Sequence, residues 1–169
     1  IREPSVDRAI ELFQKGVGPD RCLMMVSTEE EHHFANSGLT LPAYWKECER
    51  AIRKCRDAGL KMCGTVSTIW GSPIAGATEL KDAVEFTKRW LEIGATGIEH
   101  ADHAGSASAP EVFRYFSMIM DEIPDTSVHI AHFHETKRVA SASILAALHA
   151  GICHFEGTLG GLGGQPANF

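Results

Sequence analysis

His132, Phe133 and His134 set two imidazoles two residues apart. On an extended strand such residues share a face, so both rings can turn toward one ion. Imidazole nitrogen suits borderline divalent metals, and carboxylate or carbonyl oxygens would complete the sphere. The same spacing also fits two histidines that are merely hydrogen-bonded at a strand end. Asp102 closes the run Gly97-Ile98-Glu99-His100-Ala101 and precedes the small residues Ala104, Gly105, Ser106 and Ala107, over which a substrate can approach the backbone. It reads as a catalytic candidate or, equally, as an aspartate capping the turn that follows. His100 and Asp102 share strand parity, which leaves a His–Asp hydrogen bond open.

Other polar clusters point less clearly to chemistry. Glu29-Glu30-Glu31-His32-His33 resembles a metal cluster in one dimension, yet adjacent residues on a loop seldom converge, so a solvated loop is expected. Gly160-Gly161-Leu162-Gly163-Gly164 can present backbone N–H groups to an anion or simply form a tight turn. Cys22, Cys63 and Cys153 fall in apolar runs and read as small core residues. Trp45 and Trp90 sit inside amphipathic segments and read as packing residues.

The elements that must position these groups follow from alternation. Amphipathic segments take turns with short apolar runs, the βα pattern of a parallel sheet. Helices are predicted at about 5–17, 40–58, 78–94, 110–123 and 139–150, and strands at about 22–26, 61–68, 96–101, 128–133 and 152–155. Thr40 with Pro42 opens the second helix and Gly59 closes it, while Pro110 fits a first helical turn and Pro124 is a stop. The βα spacing of about 30–40 residues suits a barrel or a doubly wound sheet. No glycine fingerprint follows the first strand, where Ser27-Thr28-Glu29-Glu30 stands, and the late glycine run lacks the Lys-Ser/Thr of a phosphate loop. An α/β fold of the TIM (β/α)8 type is therefore favoured, with His132, His134 and Asp102 at C-terminal strand ends, where barrel sites are built.

Composition sets outer bounds. A chain of 169 residues suits one domain. Sixteen Lys and Arg against twenty-two Asp and Glu give a net charge of −6, so no basic surplus exists to neutralise the phosphates of nucleic acid or an anionic membrane. No apolar stretch approaches the roughly 20 residues that span a bilayer. Ile1-Arg2-Glu3-Pro4 offers no signal-peptide core, and the missing initiator Met suggests a start inside a longer gene product. Five cysteines without a CxxC pair fit a reducing cytosol, so a cytoplasmic location is expected, with Cys48 and Cys55 on one helix face rather than bridged.

Taken together, Gly64-Thr65-Val66-Ser67, Asp102 before its Gly/Ser loop and Pro110, His132-Phe133-His134-Glu135-Thr136 and Gly160-Gly161-Leu162-Gly163-Gly164-Gln165-Pro166 resemble the hydroxymethylglutaryl-CoA lyases. These belong to the DRE-TIM metallolyases, which also include isopropylmalate and citramalate synthases. The resemblance runs through nearly the whole chain in order. It implies that residues 1–169 form a partial (β/α)8 catalytic barrel, roughly helix 3 through strand 8. It further implies a divalent cation, magnesium or manganese rather than zinc, held by His132 and His134, with Asp102 an active-site aspartate serving substrate and proton. The implied reaction is cleavage of a carbon–carbon bond next to a carbonyl, in an acyl-CoA or oxo-acid substrate, by a homo-oligomer. A Claisen-type acyltransferase and a non-catalytic barrel binding an acyl-CoA or organic acid are the alternatives.

Three departures qualify the resemblance. Gln165 stands where the lyases place a catalytic cysteine, so this position is expected to hold substrate by hydrogen bonds. Ala101-Asp102-His103 replaces Gly-Asp-Thr. The Arg-Asp pair of the family's first strand and its later Asn ligand have no counterpart in the 169 residues. Five strands cannot close an eight-stranded barrel, so both sheet edges are expected to need cover from a partner, self-association or further chain.

Overall fold

Alternation of apolar and amphipathic segments becomes a regular βα succession in the computed structural model, which describes residues 3–158, 163 and 164. Helix α1 (Glu3–Gln14) leads into β1 (Arg21–Ser27), α2 (Glu30–Ser37), α3 (Leu41–Asp57) and β2 (Lys61–Ser67). Then come α4 (Leu80–Glu92), β3 (Ile98–Asp102), α5 (Ala109–Glu122), β4 (His129–Phe133), α6 (Ala140–His149) and β5 (His154–Glu156). The five strands pair in sequential order and all in parallel. No antiparallel hairpin links any of them, as the barrel reading requires.

Close packing on the helix side explains several residue choices. Trp45 of α3 and Trp90 of α4 meet edge to face at 4.9 Å, with the Arg89 guanidinium 4.5 Å over the Trp45 ring. Gly64 lies under Trp90, and a Cβ there would come 2.1 Å from the indole, so only glycine lets α4 sit this close to β2. Cys48 and Cys55 are buried, unbridged thiols on α3, and burial pushes the Cys55 thiol up to about 11.

Three sequence expectations need correction. The run Glu29-Glu30-Glu31-His32-His33 is not a solvated loop, because residues 30–37 form α2. Glu29 caps it by accepting from the Glu31 and His32 N–H groups at 2.7 and 2.8 Å, and Gly38 ends it at φ 71°. His32 and His33 are each 2% exposed. Cys153 is exposed rather than a core residue, because the last strand begins one residue later, at the open sheet edge. Finally, β2 stops at Ser67, since Thr68 turns to φ 58°. That costly backbone is held by Thr28 N donating to Thr68 Oγ1 at 3.1 Å and Thr78 Oγ1 donating to Thr68 O at 2.8 Å. Among the described residues, no helix is long and apolar enough to cross a membrane.

Candidate functional site

Parity on β3 divides the strand's polar residues between two environments. Glu99 points to the face it shares with Thr65 and His132, whereas His100 points under α5. Parallel registers Thr65↔Glu99 and Ala101↔His132 bring the first three together. Thr65 Oγ1 donates to Glu99 Oε2 at 2.5 Å, and His132 Nδ1 lies 2.9 Å from Glu99 Oε1 as an ion pair. Burial opposes charge on Glu99, but His132 and then Thr65 outweigh it and hold the carboxyl below its usual range. The same contact raises the His132 imidazole above its ordinary value.

His134 turns toward His132 as strand spacing requires. Their Nε2 atoms are 3.1 Å apart and the rings are edge to face at 4.6 Å. Two nitrogens bound at right angles to one ion, each at about 2.1 Å, would lie about 3.0 Å apart. The pair therefore has the separation of two neighbouring ligands. Glu156 of β5 stands beside His132 in register, and Glu99, His132 and Glu156 each offer a ligand atom within 4.8 Å of the others. Burial and the nearby Glu99 charge raise the Glu156 carboxyl. Among the described residues, the buried His134 Nδ1 has no hydrogen-bond partner, while burial and the neighbouring His132 lower this imidazole.

Gly105 packs on the His134 backbone and Cβ, and Gly163 on its ring. A Cβ on Gly105 would come 2.9 Å from His134 Cβ, and one on Gly163 would come 2.9 Å from His134 Cε1. At Gly163 the backbone thus lies close on the imidazole, an approach that a side chain would block. Gln165 is outside the described residues.

Asp102 is 3% exposed and takes the capping geometry, its Oδ2 accepting from Ala107 N at 3.0 Å. Burial raises its carboxyl; the N–H groups of Ala107, Ser106 and Gly105, and the His134 ring, oppose that rise. The His100–Asp102 bond does not form, because the loop claims the carboxylate at the strand's end. His100 Nδ1 instead meets Tyr115 OH at 2.8 Å, its Nε2 meets His129 Nδ1 at 3.0 Å, and His129 Nε2 donates to Ile123 O at 2.9 Å. Beside the Asp102 loop opens a cleft of about 260 Å³, lined by Trp70, Gly76, Ala104, Ser106 and Lys137.

Thr65 and Glu99 stand in the sequence runs quoted above but carry no site role there, and Glu156 is not among them. The one signal was an acidic residue inside an otherwise buried strand, which is costly unless partnered.

A profile of the HMGL-like family matches residues 1–169. The (R)-citramalyl-CoA lyase of Chloroflexus aurantiacus is 32% identical over 143 residues, 85% of this chain and 45% of that protein. The human cytoplasmic 3-hydroxy-3-methylglutaryl-CoA lyase is 30% identical over 168 residues, 98% of this chain and 45% of that one. A solved HMG-CoA lyase from Acinetobacter baumannii, in complex with coenzyme A and 3-methylmalate, superposes with a TM-score of 0.88 at 25% identity, covering 98% of this chain and 52% of that chain. The chain spans about half the length of the curated relatives it matches.

Proposed function

Because the chain belongs to the HMGL-like family, we propose that it forms part of the catalytic barrel of a metal-dependent carbon–carbon lyase. Its substrate class is a 3-hydroxyacyl-CoA, of the kind its citramalyl-CoA and hydroxymethylglutaryl-CoA lyase relatives are named for. The observation that carries this reading is the 3.1 Å convergence of His132 and His134 Nε2. Imidazole with nearby carboxylate oxygen suits magnesium or manganese when further oxygen ligands complete the sphere. A divalent ion held there supplies Lewis-acid polarisation of the substrate oxygens.

The chain's own residues do the rest. Glu99 orients His132 through Nδ1 and Thr65 orients Glu99, an outer shell that fixes the ring's tautomer and aim. Asp102, a buried carboxylate with a raised pKa, is assigned to the hydroxyl proton. Gln165 is assigned to a substrate carbonyl or carboxylate, which its amide can bind without titrating. The cleft beside Ala104 and Ser106 gives the acyl-CoA chain its approach.

His134→Ala in the complete gene product tests the reading, with metal content and cleavage of citramalyl-CoA and hydroxymethylglutaryl-CoA measured together. Loss of both bound ion and turnover is expected. Full turnover at unchanged metal content would refute the assignment.

A further inference from the structure

The cleft beside the Asp102 loop is built by the turns after three successive strands: the 70–77 loop after β2, Ala104 and Ser106 after β3, and Lys137 after β4. Local hydrogen bonds fix each wall before any ligand arrives. Ser72 and Gly76 close the first loop by exchanging backbone bonds of 2.7 and 2.9 Å, and Gly71 N donates to Thr78 Oγ1 at 2.9 Å. The Trp70 ring stands edge to face with Tyr115, centroids 5.3 Å apart. On the second wall, the Asp102 carboxylate accepts from the Ser106 N–H. Lys137 N donates to Gly105 O at 3.3 Å, which ties the third turn to the second.

Backbone strain gathers around the same turns. Among the described residues, Thr68 at φ 58° and Arg138 at φ 57° are the two non-glycine residues with positive φ. Thr68 lies two residues before Trp70, and Arg138 directly follows Lys137. Such conformations are costly and cluster where a chain clamps a ligand.

Charge decides which ligand suits the cleft. Of the lining side chains only Lys137 is charged, in a chain of net charge −6. Among the described residues no ion pair engages it. Glu111 feels its charge, but that carboxylate is already bonded to Ser108. The cleft also adjoins the ion site. Gly105, between Ala104 and Ser106, packs on His134, and Lys137 follows His134 by three residues, at most about 11 Å of extended chain.

We propose that this cleft is the subsite for an oxyanion of the substrate, bound by the Lys137 ammonium with the Ser106 hydroxyl beside it. The proposal rests on the lyase reading and deepens it. An acyl-CoA carries oxyanions in two places: the phosphates of its CoA part and, in the citramalyl and hydroxymethylglutaryl esters, a free carboxylate on the acyl part. Lys137 is then a specificity-determining residue, because an analogue without the oxyanion leaves its charge unpaired.

Calorimetry on the complete gene product, loaded with magnesium, tests this with three probes. They are coenzyme A, pantetheine (the same thiol arm without phosphates) and citramalate. Cleavage of citramalyl-CoA and hydroxymethylglutaryl-CoA is assayed in parallel. Lys137→Met removes the charge and should raise Kd for coenzyme A or citramalate about tenfold or more, the scale of a hydrogen bond to a charged group. Pantetheine binding and metal content should hold, and Lys137→Arg should retain most of the affinity. A loss on coenzyme A identifies a phosphate, and a loss on citramalate a carboxylate. Ala77→Trp, which fills the cleft from the 70–77 loop, should weaken the same probe. Lys46→Met, which removes an exposed charge from α3, should not. Lys137→Gln replaces the methionine variant should that one fail to fold. Anionic probes that ignore Lys137→Met or Ala77→Trp, or an equal loss on pantetheine or in Lys46→Met, overturn the subsite. Lys137-dependent binding without cleavage of either ester supports the subsite while removing the lyase reading. Cleavage with binding indifferent to Lys137 overturns the subsite and leaves the lyase reading standing. Neither binding nor cleavage overturns both.

Discussion

Acid should unfold this protein through the relay beneath β3. His100 and His129 are completely buried, and burial holds both imidazoles below their ordinary value, His100 furthest. A histidine kept neutral in the fold takes up its proton only on unfolding, at about pH 6.5 in the free chain. Its contribution is fully present above that pH and declines as pH falls below it, toward the lower folded value. Because protonation of the unfolded chain only begins near pH 6.5, each such histidine removes at most about 1 kcal/mol between pH 6.5 and 5.5, so the pair removes at most about 2 kcal/mol in that window. Against a typical total of about 5–15 kcal/mol, that is a large fraction. Urea unfolding of the metal-free protein at pH 7.5, 6.5 and 5.5 should show the decline. His129→Gln removes the less strongly lowered of the two titrating groups and should make the relay's part of the slope shallower without abolishing it. Buried histidines elsewhere are common to both proteins and cancel in the difference. Tyr115→Phe leaves His100 Nδ1 without its 2.8 Å partner and should cost about 1–3 kcal/mol at pH 7.5. A wild-type slope that His129→Gln leaves unchanged would refute the reasoning. The relay ties β3 to α5 and β4, so its loss should also misplace Glu99 and His132.

Further expectations concern packing and the site itself. Gly64→Ala drives a methyl group into the Trp90 indole and should cost about 1–3 kcal/mol or more, read as a lower thermal midpoint. Thr65→Val removes the hydroxyl that Glu99 Oε2 accepts from, and metal affinity by calorimetry should weaken about 10–100-fold with the fold intact. For Gln165→Cys, steady-state kinetics with hydroxymethylglutaryl-CoA should show negligible cleavage by the wild type and partial gain in the variant, since only the thiol titrates. Efficient wild-type cleavage that the cysteine does not improve would show that this position does not select the substrate.

Much of the architecture was legible because its signals are short-range. Pro42 and Pro110 marked helix starts, Gly59 and Gly94 marked ends, and all five parallel strands lie within a few residues of the predicted spans. The 30–37 helix was not legible, because its run of acidic residues and histidines has no apolar stripe. Its stability comes from the Glu29 cap and from partners such as Ser27 that lie outside it.

The convergence of His132 and His134 was determined by the chain alone, since a two-residue spacing on a strand leaves their side chains little choice of face. Asp102's position at a strand end was equally local. The packed sheet decided the rest. It turned Asp102 to its own loop and His100 to Tyr115, and it brought Glu99 and Thr65 behind His132 and His103 against His32. Each of these partnerships joins different strands or loops. Which carboxylate meets which imidazole depends on the register between neighbouring strands, and one step of slip would send Glu99 to the opposite face.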